Sequence, residues 1–310
     1  MNAARLEDSN LNAIVLAGGD GSRLTALTRK ISGHEIPKQF CPIFENGTLL
    51  EQTTRRVSMV VPPNQTLIVL TRPHERFYKS FSCNVADCNL VLQPHNRGTA
   101  PAILYALFRL ARQRRRGTVA IFPSDHYVSD DRRFMLHVEA ASSVIAKFPE
   151  RVLLLGISAD KPESQYGWIE PGQALDFGVT GIGTVFHIRR FWEKPPLDVA
   201  LELWRQGFFW NSFVMVARIE ALLDLFARAL PQLYISFAQV YFGTTRETDT
   251  IAQLYDNIPS VSFSDDILTE FCTEFLVLPV RDVQWSDLGE PTRVLNIIAQ
   301  LGLRPKWLAA

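Results

Sequence analysis

The residues able to do chemistry stand in short runs. Nearest the N-terminus, Gly18, Gly19 and Gly21 are followed by Arg23 and then by Lys38 in Pro37-Lys38-Gln39-Phe40. Glycines can take positive φ and bring backbone N–H groups close to a ligand with no Cβ in the way. Successive N–H groups in such a turn form a concavity for anions, and two cations beside it could neutralise a phosphate. The same glycines could also serve a plain strand-to-helix connection. Two better-known phosphate loops are excluded by spelling. No Gly-Lys pair exists for a Walker loop, and a G-x-G-x-x-G pattern begun at Gly19 meets Leu24 where its third glycine belongs. A nicotinamide or flavin dehydrogenase is therefore disfavoured.

Acidic residues follow at two strand-like ends. Asp125 closes TVAIFPSD (118–125), at the carboxyl edge where open α/β sheets bind ligands. One Asp beside nucleotide phosphates suits Mg²⁺, which takes few carboxylates; the alternative is a helix N-cap. Asp287, in Gln284-Trp285-Ser286-Asp287-Leu288-Gly289, has the same two readings. Glu193-Lys194-Pro195 and Trp210-Asn211-Ser212 add an acid, a cation and an amide, the groups that grip hydroxyls and a phosphate. His34-Glu35 does not continue as H-E-x-x-H, because position 38 is lysine, and no other histidine spacing favours a metal.

These residues need a scaffold, and the apolar runs supply one. Strands are expected at 12–17, 66–71, 90–93, 118–125 and 151–157 with helix-like runs between, which predicts a mostly parallel α/β sheet. Ala100, Ile103, Leu104, Leu107, Leu110 and Ala111 recur at helical spacing, so residues 99–115 should form an amphipathic helix covering that sheet. The basic run Arg112 to Arg116 at its end could suggest nucleic-acid binding, but it is expected to complement the helix dipole and face water. Farther on, strands are expected near 182–191, 209–217 and 275–280, helices around 219–257, and a terminal helix from about 290.

The bulk composition bounds the rest. With 310 residues, 47% hydrophobic and 21% charged, the chain has material for one large α/β domain or two smaller ones. Lys plus Arg and Asp plus Glu both total 32, so no global field favours nucleic acid. Cys41, Cys83, Cys88 and Cys272 show no C-x-x-C spacing, and reduced thiols in the cytoplasm are expected. The N-terminus MNAARLEDSNLN lacks an apolar leader core, and no segment has about 18 uninterrupted apolar residues, so no membrane partner is expected.

Taken in order, LAGGDGSRL, PKQF, TLLEQT, TAPAI, FPSDH, YGWIEPG, FWEKP, WNS and WSDLG resemble the sugar-nucleotide pyrophosphorylases, most closely the mannose-1-phosphate guanylyltransferases. The resemblance implies a Rossmann-like nucleotidyltransferase domain over 11–298, with a central mixed, mostly parallel sheet flanked by helices. Residues 1–10 and 299–310 would be an N-terminal extension and a C-terminal tail, with no β-helix or cupin domain. It implies synthesis of GDP-mannose and pyrophosphate from GTP and mannose 1-phosphate with Mg²⁺, by a monomer or homodimer. Leu16, Ala17, Gly18, Gly19 and Gly21 would meet the nucleoside together with Arg97, Thr99, Pro123 and Ser124. Arg23 and Lys38 would bind its phosphates, and Asp125 and Asp287 would ligate Mg²⁺. Gly167, Glu170, Glu193 and Asn211 would hold the sugar, and Lys194 its phosphate.

The chain departs from the family pattern in places. The path from Arg23 to Lys38 is about four residues longer than usual. His95-Asn96-Arg97-Gly98 stands where G-R-N is common, in a segment that helps select the base, and Phe213 stands where glycine usually follows WNS. Trp168 replaces the smaller residue of TGYGYI. Another NTP or hexose 1-phosphate, or a non-catalytic nucleotide-sugar-binding regulatory homologue, are the competing readings.

Overall fold

A computed structural model describes residues 11–82, 89–113, 117–175, 183–242 and 247–309. The N-terminal extension, Cys83, Cys88 and Arg114 to Arg116 lie outside the described residues; Cys41 and Cys272 are free thiols. The strands are β1 (Leu11–Leu16), β2 (Thr66–Thr71), β3 (Leu90–Gln93), β4 (Thr118–Pro123), β5 (Tyr127–Val128), β6 (Val152–Ser158), β7 (Trp168–Ala174), β8 (Phe186–Trp192), β9 (Phe209–Arg218), β10 (Phe275–Val280) and β11 (Trp285–Ser286). The helices are α1 (Thr25–Ser32), α2 (Leu49–Val57), α3 (Glu75–Ser82), α4 (Thr99–Arg112), α5 (Asp131–Lys147), α6 (Leu197–Arg205), α7 (Ile219–Ala229), α8 (Pro231–Phe242), α9 (Glu247–Asn257) and α10 (Pro291–Gln300). Among the described residues no helix is long and apolar enough to cross a membrane.

The central sheet has nine strands in the order β3-β2-β1-β4-β9-β6-β10-β8-β7. It is mixed, as expected. Following the pairings, β8 and β9 run against the other strands, so the longest parallel run is the β3-β2-β1-β4 half, with β6 and β10 a separate parallel pair. Continuous apolar runs explain that half, because parallel strands are covered on both faces. Along β1, Ala13 and Val15 pack into the core that includes α5, while Ile14 packs into the opposite core with α4.

One expected helix differs in character. From Ala100 to Phe108, α4 is buried all round rather than along one stripe, because α7 and α8 pack over the face that would otherwise meet water. The long path after Arg23 folds as α1, ended by Gly33 at φ 76°. Sequence reading also misses β7 and the two-residue strands β5 and β11. Those short strands pair antiparallel with Ser286 opposite Tyr127, away from the main sheet. They tie the chain after β4 to the chain before α10.

Candidate active site

The carboxyl ends of β1, β3 and β4 open into a cleft of about 360 Å³. Its first wall begins where β1 ends. A Cβ on Gly18 would lie 2.5 Å from Gln93 Nε2 and 2.7 Å from Thr71 Oγ1, so a side chain there would displace the groups that end β2 and β3. Thr71 Oγ1 donates to Gly18 O at 2.9 Å, and Gln39 Nε2 donates to Ala17 O at 3.0 Å and Gly19 O at 2.7 Å. The turn is thus held from both sides. Gly21 is left-handed at φ 62°, and a Cβ there would lie 2.9 Å from Lys38 N. The glycine turn and PKQF therefore pack as one unit, although the two runs are far apart in sequence.

A cation joins the two aspartates. Lys38 is buried, and its Nζ lies 3.3 Å from Asp125 Oδ2 while donating to the main-chain oxygen of Asp287 and, at 3.4 Å, to that of Leu288. The β5/β11 ribbon makes this possible, since Asp125 precedes one strand by two residues and Asp287 directly follows the other. Asp125 is not a helix cap; Asp130 caps α5, accepting from Arg133 N at 2.8 Å. Asp287 Oδ1 accepts from Gly289 N at 2.8 Å and from Arg293 Nη1 at 2.6 Å. Burial alone would raise the Asp287 pKa, but Lys38 and Arg293 pull it below the ordinary carboxylate value. Thr53 Oγ1 donates to Ser124 O at 3.2 Å, fastening α2 to the turn before Asp125. α2 itself starts with a capping box between Thr48 and Glu51, both in TLLEQT.

His126 sits against the Asp125 carboxylate, Nε2 to Oδ1 at 3.6 Å, and edge-on to Trp285. Burial pushes its pKa down to about 4 despite Asp125, so the ring is neutral at pH 7. Among the described residues no group of three His, Cys, Asp or Glu forms a metal cage. Mg²⁺ needs none when phosphates and water complete its shell. Two carboxylates in one cleft, already beside a cation, fit that donor set and not a zinc site.

The opposite wall comes from β7, β8 and β9. Asn211 N donates to Gly167 O at 2.8 Å, and a Cβ on Gly167 would lie 3.1 Å from Glu193 Oε2, which brings these three residues together. Lys194 pairs with the Glu193 carboxylate from a left-handed backbone at φ 45°. Phe213, in the position the resemblance gives to glycine, is left-handed at φ 59°. Its N–H donates to Asn211 Oδ1 at 2.9 Å, which leaves the Asn211 NH₂ to face the cleft.

Most sequence-predicted residues line this cleft: Leu16, Gly18, Gly19, Arg23, Thr99, Pro123, Ser124, Asp125, Gly167, Glu193, Lys194, Asn211 and Asp287. Four others stand behind it. Ala17, Gly21 and Lys38 shape or neutralise the wall as described, and Arg97 donates its Nε to Tyr255 O at 2.8 Å instead of lining the cleft. Glu170, on β7, is not among the residues that line the cleft, and Arg189 Nε lies 3.4 Å from its carboxylate. Gln39, Gln93, Asn96, His126, Phe213 and Ser264 line the cleft without having been assigned from sequence. Gln93 carried a usable signal, a polar residue closing an apolar strand at the sheet's carboxyl edge, the same signal that singled out Asp125.

Known proteins are similar to this chain. Residues 12–302 match the family model described as Nucleotidyl transferase. Xanthan biosynthesis protein XanB of Xanthomonas campestris pv. campestris is 28% identical over 301 residues, 95% of this chain and 61% of that protein. Mannose-1-phosphate guanylyltransferase 2 of Escherichia coli O157:H7 is 27% identical over 297 residues, 92% of this chain and 59% of that protein. The chain thus spans about three fifths of these curated relatives. The crystal structure of a mannose-1-phosphate geranyltransferase from Thermus thermophilus superposes with a TM-score of 0.77 at 29% identity, covering 91% of this chain and 77% of that one.

Proposed function

The chain belongs to the nucleotidyl transferase family, and from that premise we propose that it transfers a nucleoside monophosphate from an NTP to a sugar 1-phosphate, with GTP and mannose 1-phosphate as the preferred pair. The observation that carries this reading is Lys38, whose ammonium links the Asp125 carboxylate to the backbone of Asp287 between two separate ligand walls. The glycine turn and Arg23 would receive the nucleotide phosphates. Glu193 and Asn211 would hold sugar hydroxyls, and Lys194 the sugar phosphate.

The chemistry needs alignment more than proton transfer. The second pKa of a phosphate monoester is about 6, so a sugar 1-phosphate is largely dianionic at pH 7. One of its oxygens forms a bond to the α-phosphorus as the α–β bridging P–O bond breaks, and pyrophosphate leaves with that electron pair. No side chain must remove a proton. Lys38, Arg23 and Lys194 neutralise charge as both reactants approach. Asp125 and Asp287 would hold Mg²⁺, and the ion would supply positive charge against the charge that develops on the phosphates.

The test is pyrophosphate release from purified protein with each NTP, a panel of sugar 1-phosphates and Mg²⁺. The highest kcat/KM is expected for GTP with mannose 1-phosphate, and another preferred pair would replace that substrate assignment. Asp125→Ala should keep its thermal unfolding transition and lose turnover; unchanged turnover removes Asp125 from the mechanism. No pyrophosphate from any pair would favour a nucleotide-sugar-binding regulatory role.

A further inference from the structure

The segment 255–263 braces the first wall of the cleft from behind. Arg97 Nε donates to Tyr255 O at 2.8 Å, and His95 Nε2 lies 3.2 Å from the same oxygen. Val261 N donates to Arg97 O at 3.0 Å and Ala100 N to Val261 O at 3.2 Å, while Phe263 N donates to Thr99 Oγ1 at 2.8 Å. At the inner end of this brace, the Tyr255 hydroxyl donates to Gln93 Oε1 at 3.2 Å. Tyr255 is wholly buried among Tyr105 and Phe237, and Gln93 is 1% exposed where it borders the cleft beside Gly18.

A carboxamide has one accepting end and one donating end. With Oε1 taken by Tyr255, Nε2 is the end left against the glycine turn. Burial holds the Tyr255 phenol well above its ordinary pKa, so it stays protonated and donating. We propose that Tyr255 is a positioning residue for nucleobase choice: it fixes the Gln93 amide with its NH₂ toward the cleft, so that the wall receives a base edge bearing a carbonyl oxygen. Guanine, uracil and thymine present such an edge, whereas adenine presents an amine there. This deepens the nucleotidyl-transfer reading and rests on it.

The experiment compares GTP with ATP on the purified full chain, by calorimetric binding and by pyrophosphate release with mannose 1-phosphate. Tyr255→Phe removes one hydroxyl and keeps the ring packing. A released amide can turn its oxygen toward the cleft, and the GTP-over-ATP preference should fall about tenfold, the worth of one net hydrogen bond, through KM rather than kcat. Gln93→Met, of similar length and with neither an NH₂ nor a carboxylate to offer, should lose that preference on its own and covers the case in which Tyr255→Phe fails to fold. A preference kept within about twofold in Tyr255→Phe overturns the positioning role. Its retention in Gln93→Met, or a wild-type protein that does not prefer GTP to ATP, overturns the assignment of this wall to the base. Absence of both GTP binding and pyrophosphate release in the wild type overturns the nucleotidyl-transfer reading itself, a result distinct from an active enzyme with an unmoved ratio.

Discussion

The two walls of the cleft meet similar backbone demands with different residues. On the wall made by β1, β3 and α4, the crowded or left-handed positions are glycines: Gly18 between Gln93 and Thr71, Gly21 at φ 62° and Gly98 at φ 87°. On the wall made by β7, β8 and β9, with the turn after β11, Gly167 is crowded too, a Cβ there lying 2.7 Å from Phe191 Cζ, but the left-handed positions are Lys194 at φ 45°, Phe213 at φ 59° and Leu288 at φ 49°. A side chain in that region costs roughly 1–2 kcal/mol that glycine does not. The first wall is shaped by removing side chains, as its proposed approach to a phosphate requires. The second keeps them at its left-handed positions. Lys194 brings its ammonium beside Glu193, Phe213 aims Asn211, and Leu288 buries its side chain while its carbonyl accepts from Lys38.

The largest effect is expected where the first wall has no room. A Cβ on Gly98 would lie 2.3 Å from Val261 O and 2.9 Å from Val261 C, in a backbone conformation that side chains avoid. Both partners belong to the brace, so neither can yield without breaking the bonds from Val261 to Arg97 and Ala100. Gly98→Ala should destabilise the protein by about 2–4 kcal/mol in urea unfolding. It should also raise KM for the nucleotide. A change below about 0.5 kcal/mol would mean that the wall shifts freely, and the contrast between walls would lose its basis.

That contrast also explains what could be read from the sequence. The bounds of β2, β3 and β10 follow the apolar runs at 66–71, 90–93 and 275–280, because strands buried on both faces read as continuous hydrophobic stretches. The glycine wall was legible for a related reason: glycine spells its own backbone requirement. Phe213 and Lys194 spell nothing of the kind. β5 and β11 were hidden too, since two residues carry no periodicity, yet their pairing is what brings Asp125 and Asp287 to one lysine. β7 was masked by Pro171 and Gly172, which break the strand signal where its register with β8 shifts. The all-round burial of α4 depends on α7 and α8, a hundred or so residues away, and no local pattern records it.

A smaller effect separates the walls by pH. His74 is buried beside the glycine turn, with Nε2 3.3 Å from Asp20 Oδ1, and Asp20 Oδ2 in turn accepts from Asn96 Nδ2 at 3.0 Å. Burial lowers the His74 pKa from 6.5 more than Asp20 raises it. The unfolded chain therefore binds this proton more readily than the folded one. The stability it contributes is complete above the ordinary histidine value and is lost as pH falls through the depressed folded pKa. His74→Gln keeps an Nε2 donor for Asp20 but cannot titrate. Its melting temperature should fall less between about pH 7 and 5 than that of the wild type; parallel curves would show that acid loosens the molecule elsewhere.

The smallest stability change tests the second wall directly. Lys194 is half-exposed, and an exposed ion pair such as Lys194 with Glu193 is worth little net stability. Glycine would occupy φ 45° without strain, offset in part by its larger unfolded-state entropy, so Lys194→Gly should gain about 0.5–1 kcal/mol. The same change removes the cation assigned to the sugar phosphate, and kcat/KM for that substrate should fall about 100-fold. Lys194→Ala is the necessary partner: it loses the ammonium equally but keeps a Cβ in the left-handed position. If strain is held there for the sake of the ammonium, the glycine variant is the more stable of the two while both are equally poor catalysts. An alanine variant as stable as the glycine one would show that the backbone at Lys194 carries no strain, and the two walls would then differ in composition alone.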